Sequence, residues 1–140
     1  MLDKIVGAVF PAPGKTIERL LSKERDVFAK FGRFLHLSKG QRLLFYDADV
    51  HAIVGEAKID KVVYMDPMKA WAKYEQRLFL NKEEFDRYLS RTPLGPRDLK
   101  MWRSKAQKVM TICVLRDPKK YQHPKKPARK MNMIGHYLRE

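Results

Sequence analysis

The sequence predicts an α+β fold in which long, twisted strands close partly into a small barrel with helices packed around it. Three observations predict it. The stretch Gln41 to Met65, QRLLFYDADVHAIVGEAKIDKVVYM, reads as two long strands folded back on each other. Val109 to Leu115 is apolar at every alternating position, the pattern of a strand covered on both faces. The segments between these strands place apolar residues at helical spacing behind capping residues.

In chain order, Ile5 to Phe10 is a buried first strand, stopped by the stiff turn Pro11-Ala12-Pro13-Gly14. A helix follows, with Ile17, Leu20, Leu21, Val27, Phe28 and Phe31 as one buried stripe interrupted by Glu24, and Gly32 as its stop. Phe34 to Leu37 is a short apolar segment, and Ser38-Lys39-Gly40 turns the chain into the hairpin. There, Leu43 to Tyr46 is the first strand and Asp47-Ala48-Asp49 the turn. Ile53 to Ile59 is the second strand, which continues as Val62 to Met65 past a bulge at Asp60-Lys61. A lone hairpin is marginal in water, so the flanking segments must supply more strands. Asp66 and Pro67 form an N-cap and first turn, with Met68, Trp71, Ala72, Glu75 and Leu78 on one face. Asn81 to Glu84 has capping-box spacing and opens a helix from Lys82 to Ser90 that buries Phe85 and Leu89. Thr92 to Pro96 breaks it. Arg97 to Gln107 is basic and reads as helix. Arg116 to Lys130 reads as a basic, proline-bearing loop after the central strand, and Met131 to Leu138 as a short edge strand.

The 140 residues, 44% of them hydrophobic, fit a single domain over 1–140 that buries a core without staples. The one cysteine, Cys113, lies in an apolar run and reads as a packing residue. No run approaches the ~18 apolar residues of a membrane span, and Met1 to Phe10 holds no signal-peptide stretch, so a cytoplasmic location without membrane contact is expected. The formal charge of +14 and pI near 10.0 point to a polyanionic partner. From Arg97 to Glu140 there are 13 basic and 3 acidic residues, against 17 and 13 in the first 96. The excess is therefore local. A solvated basic face in a heat-adapted chain, with two Asn in all, is the alternative.

Two motifs carry candidate chemistry. At Gly14-Lys15-Thr16-Ile17-Glu18-Arg19, Lys15, Glu18 and Arg19 fall on one exposed helix face while Ile17 turns inward, and the helix N-terminus offers amide donors to an anion. The motif lacks Walker spacing, and an ordinary solvated first turn is its plainer reading. The second motif, Arg116 to Lys130, interleaves basic residues with Tyr121, His123 and three prolines. Its nucleic-acid candidates are Arg116, Lys119, Lys120, Lys125, Lys126, Arg129 and Lys130 for phosphates, with Tyr121 and His123 for unpaired bases. Arg103 and Lys105, next to Trp102, extend that surface. Tyr46, Glu56 and Lys58 of the hairpin are further candidates to meet ligand. Metal or triad chemistry has little support: His36, His51, His123 and His136 lack ligand spacing, and Asp47 and Asp49 belong to a turn. No metal or cofactor is expected.

The G-K-T-x-E-R turn and helix after a first strand, the G-x-x-L-L-F-Y strand from Gly40 and the I-V-G-E-A strand from Ile53 together resemble the PUA-like superfamily, in its ASCH and EVE branches. The helix start is similar to the ASCH signature in compressed form, since Gly14 abuts Lys15 and Glu18 abuts Arg19. Arg116-Asp117-Pro118-Lys119-Lys120-Tyr121, followed by Pro124, resembles the basic loop of the EVE branch. The likeness extends to uncharacterised archaeal members. It implies a partly open barrel of about five to six strands, with RNA (tRNA, rRNA or single strand) or a modified base bound in a cleft between the helix start and the hairpin. The resemblance also admits an enzyme, since some ASCH proteins are amidohydrolases on acylated cytidine or ribonucleases. Carried over, Lys15 is the activated lysine or a phosphate contact, with Arg19 beside it; Glu18 is its proton-transfer or orienting partner and Thr16 a supporting hydroxyl. Three readings stay open: an RNA-binding domain, a hydrolase of modified nucleosides or RNA, and a reader of modified DNA bases using Tyr46, Tyr64 or Trp71.

Overall fold

The computed structural model describes residues 4–89, 109–128, 130–132 and 134–140. The first apolar run forms strand β1 (Ile5–Ala12), and Pro13 leads into helix α1 (Gly14–Leu21), which buries Thr16, Ile17, Leu20 and Leu21. Here the chain departs from the expected long helix. Lys23 takes the left-handed conformation (φ 68°), and Val27–Phe31 is strand β2. Ser22-Lys23-Glu24-Arg25-Asp26 offers nothing apolar to bury through more than a helical turn, whereas Val27, Phe28 and Ala29 reach the core as a β-branched and aromatic strand.

The hairpin is as expected: β3 (Arg42–Asp47) pairs antiparallel with the 14-residue β4 (Ala52–Met65), whose register against the next strand shifts between Ile59 and Lys61, at the anticipated bulge. Helix α2 (Pro67–Tyr74) is capped by Asp66, whose carboxylate accepts the Lys69 N–H at 2.9 Å. Its buried side is Pro67, Ala70 and Tyr74, not the face through Met68, which is 72% exposed. The helix ends before Leu78, which instead bridges to Val27 of β2. Helix α3 (Lys82–Leu89) opens with the expected reciprocal box: the Glu84 N–H donates to Asn81 Oδ1 at 2.8 Å, and the Asn81 N–H donates to Glu84 Oε1 at 2.9 Å. The helix expected over Arg97 to Gln107 and the residue Ser90 lie outside the described residues.

Strand β5 (Met110–Lys125) is the largest correction to the sequence reading. Its first half is the expected central strand, but the segment read as a basic loop continues as strand through Lys125, paired with Ile53–Lys58 of β4. Charged residues are tolerated there because Arg116 to Lys125 remains largely exposed, and Asp117, at φ 51°, sits where the register shifts. Strand β6 (His136–Arg139) is the edge segment, paired antiparallel with β1.

The sheet order is β2-β5-β4-β3-β1-β6, with β1 and β3 parallel and the other pairs antiparallel. Bulges bend the long strands, so the six-stranded sheet curls into a partly open barrel. The curl brings Phe10 of β1 against Phe28 of β2, ring centroids 5.3 Å apart, although the two strands are not neighbours in the sheet. Because β6 pairs with β1 only as far as Val9, the last part of β1 and the edge of β2 face each other across an open seam.

Candidate functional site

A cleft of about 510 Å³ occupies that seam. Phe28, Phe31 and Phe79 give it an apolar side, Pro11 to Pro13 close it from β1, and Lys15, Lys30, Glu84 and Arg87 bring charge to it. The hairpin tip contributes Ala48. A second hollow of about 460 Å³ lies behind α1, but its arginines are engaged. Arg77 grips Asp26 through two bonds of 2.9 and 2.8 Å, and Arg25 is held by the carbonyls of Glu75 and Gln76.

The charged centre of the cleft is Glu84, at 8% exposure. It receives Arg19 Nη1 on Oε1 and Arg19 Nη2 on Oε2 (3.3 Å), while Lys15 Nζ stands 3.4 Å from Oε2. Arg19 Nη1 also donates to the Phe79 carbonyl at 2.9 Å. Burial acts to raise the Glu84 pKa, but the hydrogen bonds from Arg19 and the Asn81 amide, with Lys15 adding to them, outweigh it and hold the carboxyl below the ordinary glutamate value. Glu84 thus stays anionic and ties two cations of α1 to α3. Lys15, two-thirds exposed, keeps its ammonium at the cleft.

Lys15, Glu18 and Arg19 do not act on one face as the helical spacing implied. Lys15 and Arg19 converge on Glu84, whereas Glu18 accepts from Lys120 Nζ of β5 at 3.1 Å. Thr16 is 1% exposed, and its hydroxyl donates to the Pro13 carbonyl at 2.7 Å, bracing the first turn. The Gly14 N–H, expected to be offered to a ligand, donates to the Asp49 carboxylate at 2.8 Å. The hairpin tip is thereby latched to α1, and a Cβ on Gly14 would lie 2.5 Å from Asp47 Oδ2.

The other candidates divide between two places. Arg42 and Glu56 alternate with the buried Leu43 and Ala57, so they project from the outer face of the sheet. There the Tyr121 hydroxyl donates to Glu56 Oε1 at 2.8 Å, and Arg42 Nη1 stands 3.6 Å from the same oxygen. Burial first, then the bond and charge of Glu56, push the Tyr121 phenol up, and Lys125 Nζ covers its ring at 4.8 Å. Tyr121 is therefore not the open stacking platform its setting implied. Lys58 lies opposite Arg42 and Arg116 in the ladder, and Lys119 opposite Glu56. Arg116 is paired with Asp117 at 2.9 Å and stands 3.7 Å from Asp60. Lys120 meets α1 through Glu18, and Lys125, whose ammonium lies over the Tyr121 ring, pairs with Ile53 beside the hairpin tip. His123, Lys126 and Lys130 are exposed. The Tyr46 hydroxyl sits 3.3 Å from His51 Nδ1 at the tip. Arg103, Lys105 and Arg129 lie outside the described residues.

Tyr46, Tyr64 and Trp71 do not form a shared pocket: Trp71 packs on Phe85, the Tyr64 hydroxyl donates to the Phe34 carbonyl, and none of the three lines the cleft. The basic half of β5 and the start of α1 do meet, through Lys120 and Glu18. Glu84 was visible in the sequence only as a capping residue; its companion Arg19 lies 65 positions away. Among the described residues no His, Cys, Asp or Glu cluster suits a metal, and no helix is long and apolar enough to cross a membrane.

A family model described as a domain of unknown function, DUF365, matches residues 5–140. An uncharacterised protein of Methanocaldococcus jannaschii is 31% identical over 103 residues, covering 71% of this chain and 90% of that protein. Among solved structures, an ASCH protein from Zymomonas mobilis superposes with a TM-score of 0.70 at 19% identity, covering 96% of this chain and 89% of its own. A single-substitution variant of that protein gives 0.73 at 18% identity, with 99% and 92% covered. At such identities the shared property is the fold.

Proposed function

We propose, for a chain that belongs to the DUF365 family and has the PUA-like fold of ASCH domains, a nucleic-acid-binding role in which one nucleotide enters the seam cleft. The observation that carries this reading is the cleft itself: about 510 Å³ of partly apolar space with the exposed ammonium of Lys15 at its edge. That size suits a small planar ligand. An apolar wall takes the face of a base, and Lys15 takes its phosphate or an exocyclic oxygen. Lys120 and Lys126 continue the positive field beyond the hairpin tip, and Lys58, Arg116, Lys119 and Lys125 carry it to the outer face, for the flanking backbone. RNA is the preferred partner, and DNA the second. The test is a titration of labelled single-stranded and structured RNA against the full chain and its Lys15→Ala variant at low salt. Binding weakened at least fivefold by the substitution is expected; no binding by the full chain would refute the reading.

A second reading is favoured by one contact, the 3.4 Å ion pair of Lys15 Nζ and Glu84 Oε2 beside the cleft, two groups able to exchange and hold a proton. In this reading the chain hydrolyses a modified nucleoside, with Lys15 as the proton-transfer group and Glu84, in place of Glu18, orienting it. Assays on acylated nucleosides decide it: Lys15→Ala should abolish turnover, and equal turnover in that variant would remove the reading.

A further inference from the structure

The edge of β2 that faces the seam is nearly, but not wholly, closed. β2 and β5 exchange ladder bonds at alternate residues. The Leu115 N–H donates to the Asp26 carbonyl at 2.8 Å and the Gly32 N–H to the Val109 carbonyl at 3.1 Å, which places Phe28 and Lys30 in the bonded positions between them. Val27, Ala29 and Phe31 therefore turn their amides and carbonyls away from β5. The Val27 N–H is taken by the Arg77 carbonyl at 3.0 Å, the Val27 carbonyl by the Phe79 N–H at 2.9 Å, and the Phe31 N–H by the Tyr88 hydroxyl at 3.0 Å. Ala29 has no such partner for either group among the described residues, although it is 2% exposed and lines the cleft. Buried backbone donors and acceptors are almost always paired, so an open pair at a cleft wall is a place made for a ligand's hydrogen bonds.

We infer that the N–H and carbonyl of Ala29 read the edge of a nucleobase held in the cleft, an inference that rests on the nucleic-acid reading above. One residue's pair matches an amide or amidine edge, in which a donor adjoins an acceptor. An added peptide strand needs open pairs at every second residue, and the positions on either side, Val27 and Phe31, are already engaged. The rings of Phe31 and Tyr88, 4.9 Å apart and both lining the cleft, supply the apolar surface for the face of the base. The site thus selects by edge pattern through backbone, and no side-chain motif in the sequence announces it.

The test uses the 15N-labelled full chain titrated with the common nucleoside monophosphates and with counterparts methylated on the edge nitrogen. The expected result is a saturable shift of the Ala29 amide resonance with slowed hydrogen exchange, and affinity lowered about tenfold or more by edge methylation. If the amides of Lys15 and Tyr88 respond while Ala29 does not, the base sits elsewhere in the cleft and the inference falls, with the cleft reading intact. If an extended peptide moves Ala29 and no mononucleotide does, the inference also falls. If no cleft amide responds to any nucleotide, both fall together.

Discussion

Glu84 concentrates the energetics of the site in one side chain. Its carboxylate is buried, accepts from Arg19, Lys15 and the Asn81 amide, and has a folded pKa below the ordinary glutamate value of about 4.3. A depressed carboxyl pKa contributes stability that is fully present above the unfolded value and is lost as pH falls through the folded one. Glu84→Gln should therefore cost about 2–4 kcal/mol at pH 7, and the gap to the parent chain should shrink as pH is lowered below about 4. Urea unfolding at a series of pH values checks this; a gap unchanged down to the acid limb would contradict it. The sequence showed Glu84 only in its local role. Capping depends on residues three apart, whereas the Arg19 contact depends on how α1 and α3 dock. For the same reason Glu18, the carboxylate near Lys15 in sequence, is not the one near it in space.

Among the elements, β2 and β5 show how far local pattern reaches. Val27, Phe28 and Phe31 can be threaded on a helical stripe with Leu20 and Leu21, and only the left-handed Lys23 and the pairing with β5 make them a strand. The lysine-rich half of β5 resembles a loop by composition, yet its partner β4 extends far enough to pair with it. The hairpin, the Asp66 cap and the Asn81–Glu84 box were legible because each is closed within a few residues. The β4–β5 pairing has a point of minimum clearance at Gly55, where a Cβ would lie 2.7 Å from both Leu21 Cδ1 and the Lys119 carbonyl. Gly55→Ala is expected to destabilise by about 1–3 kcal/mol through this crowding, seen as a lower denaturation midpoint. An unchanged midpoint would mean that α1 does not press on the sheet there. Asp66→Ala should cost about 1 kcal/mol by loss of the α2 cap, measured in the same way.

At the scale of the molecule, the partly open barrel could be read in advance, but β2, the second half of β5 and the seam could not. The seam exists because β6 stops pairing at Val9 and because β1 and β2, distant in sheet order, are brought together by curl. The net charge of +14 was plain from composition, whereas its place on the outer face follows from strand alternation in β3, β4 and β5, and its place at the cleft from α1, β2 and α3. This field and this cleft together suit one polyanionic ligand. The most direct measurement is the salt dependence of binding to a single-stranded RNA, for the full chain and for Lys120→Gln, Lys125→Gln, Lys126→Gln combined. With about four to six phosphate contacts, log affinity should fall against log salt with a slope of about −3 to −4 for the parent chain, and the triple variant should flatten it by about two. A slope near zero, or one the triple variant leaves unchanged, would contradict the account.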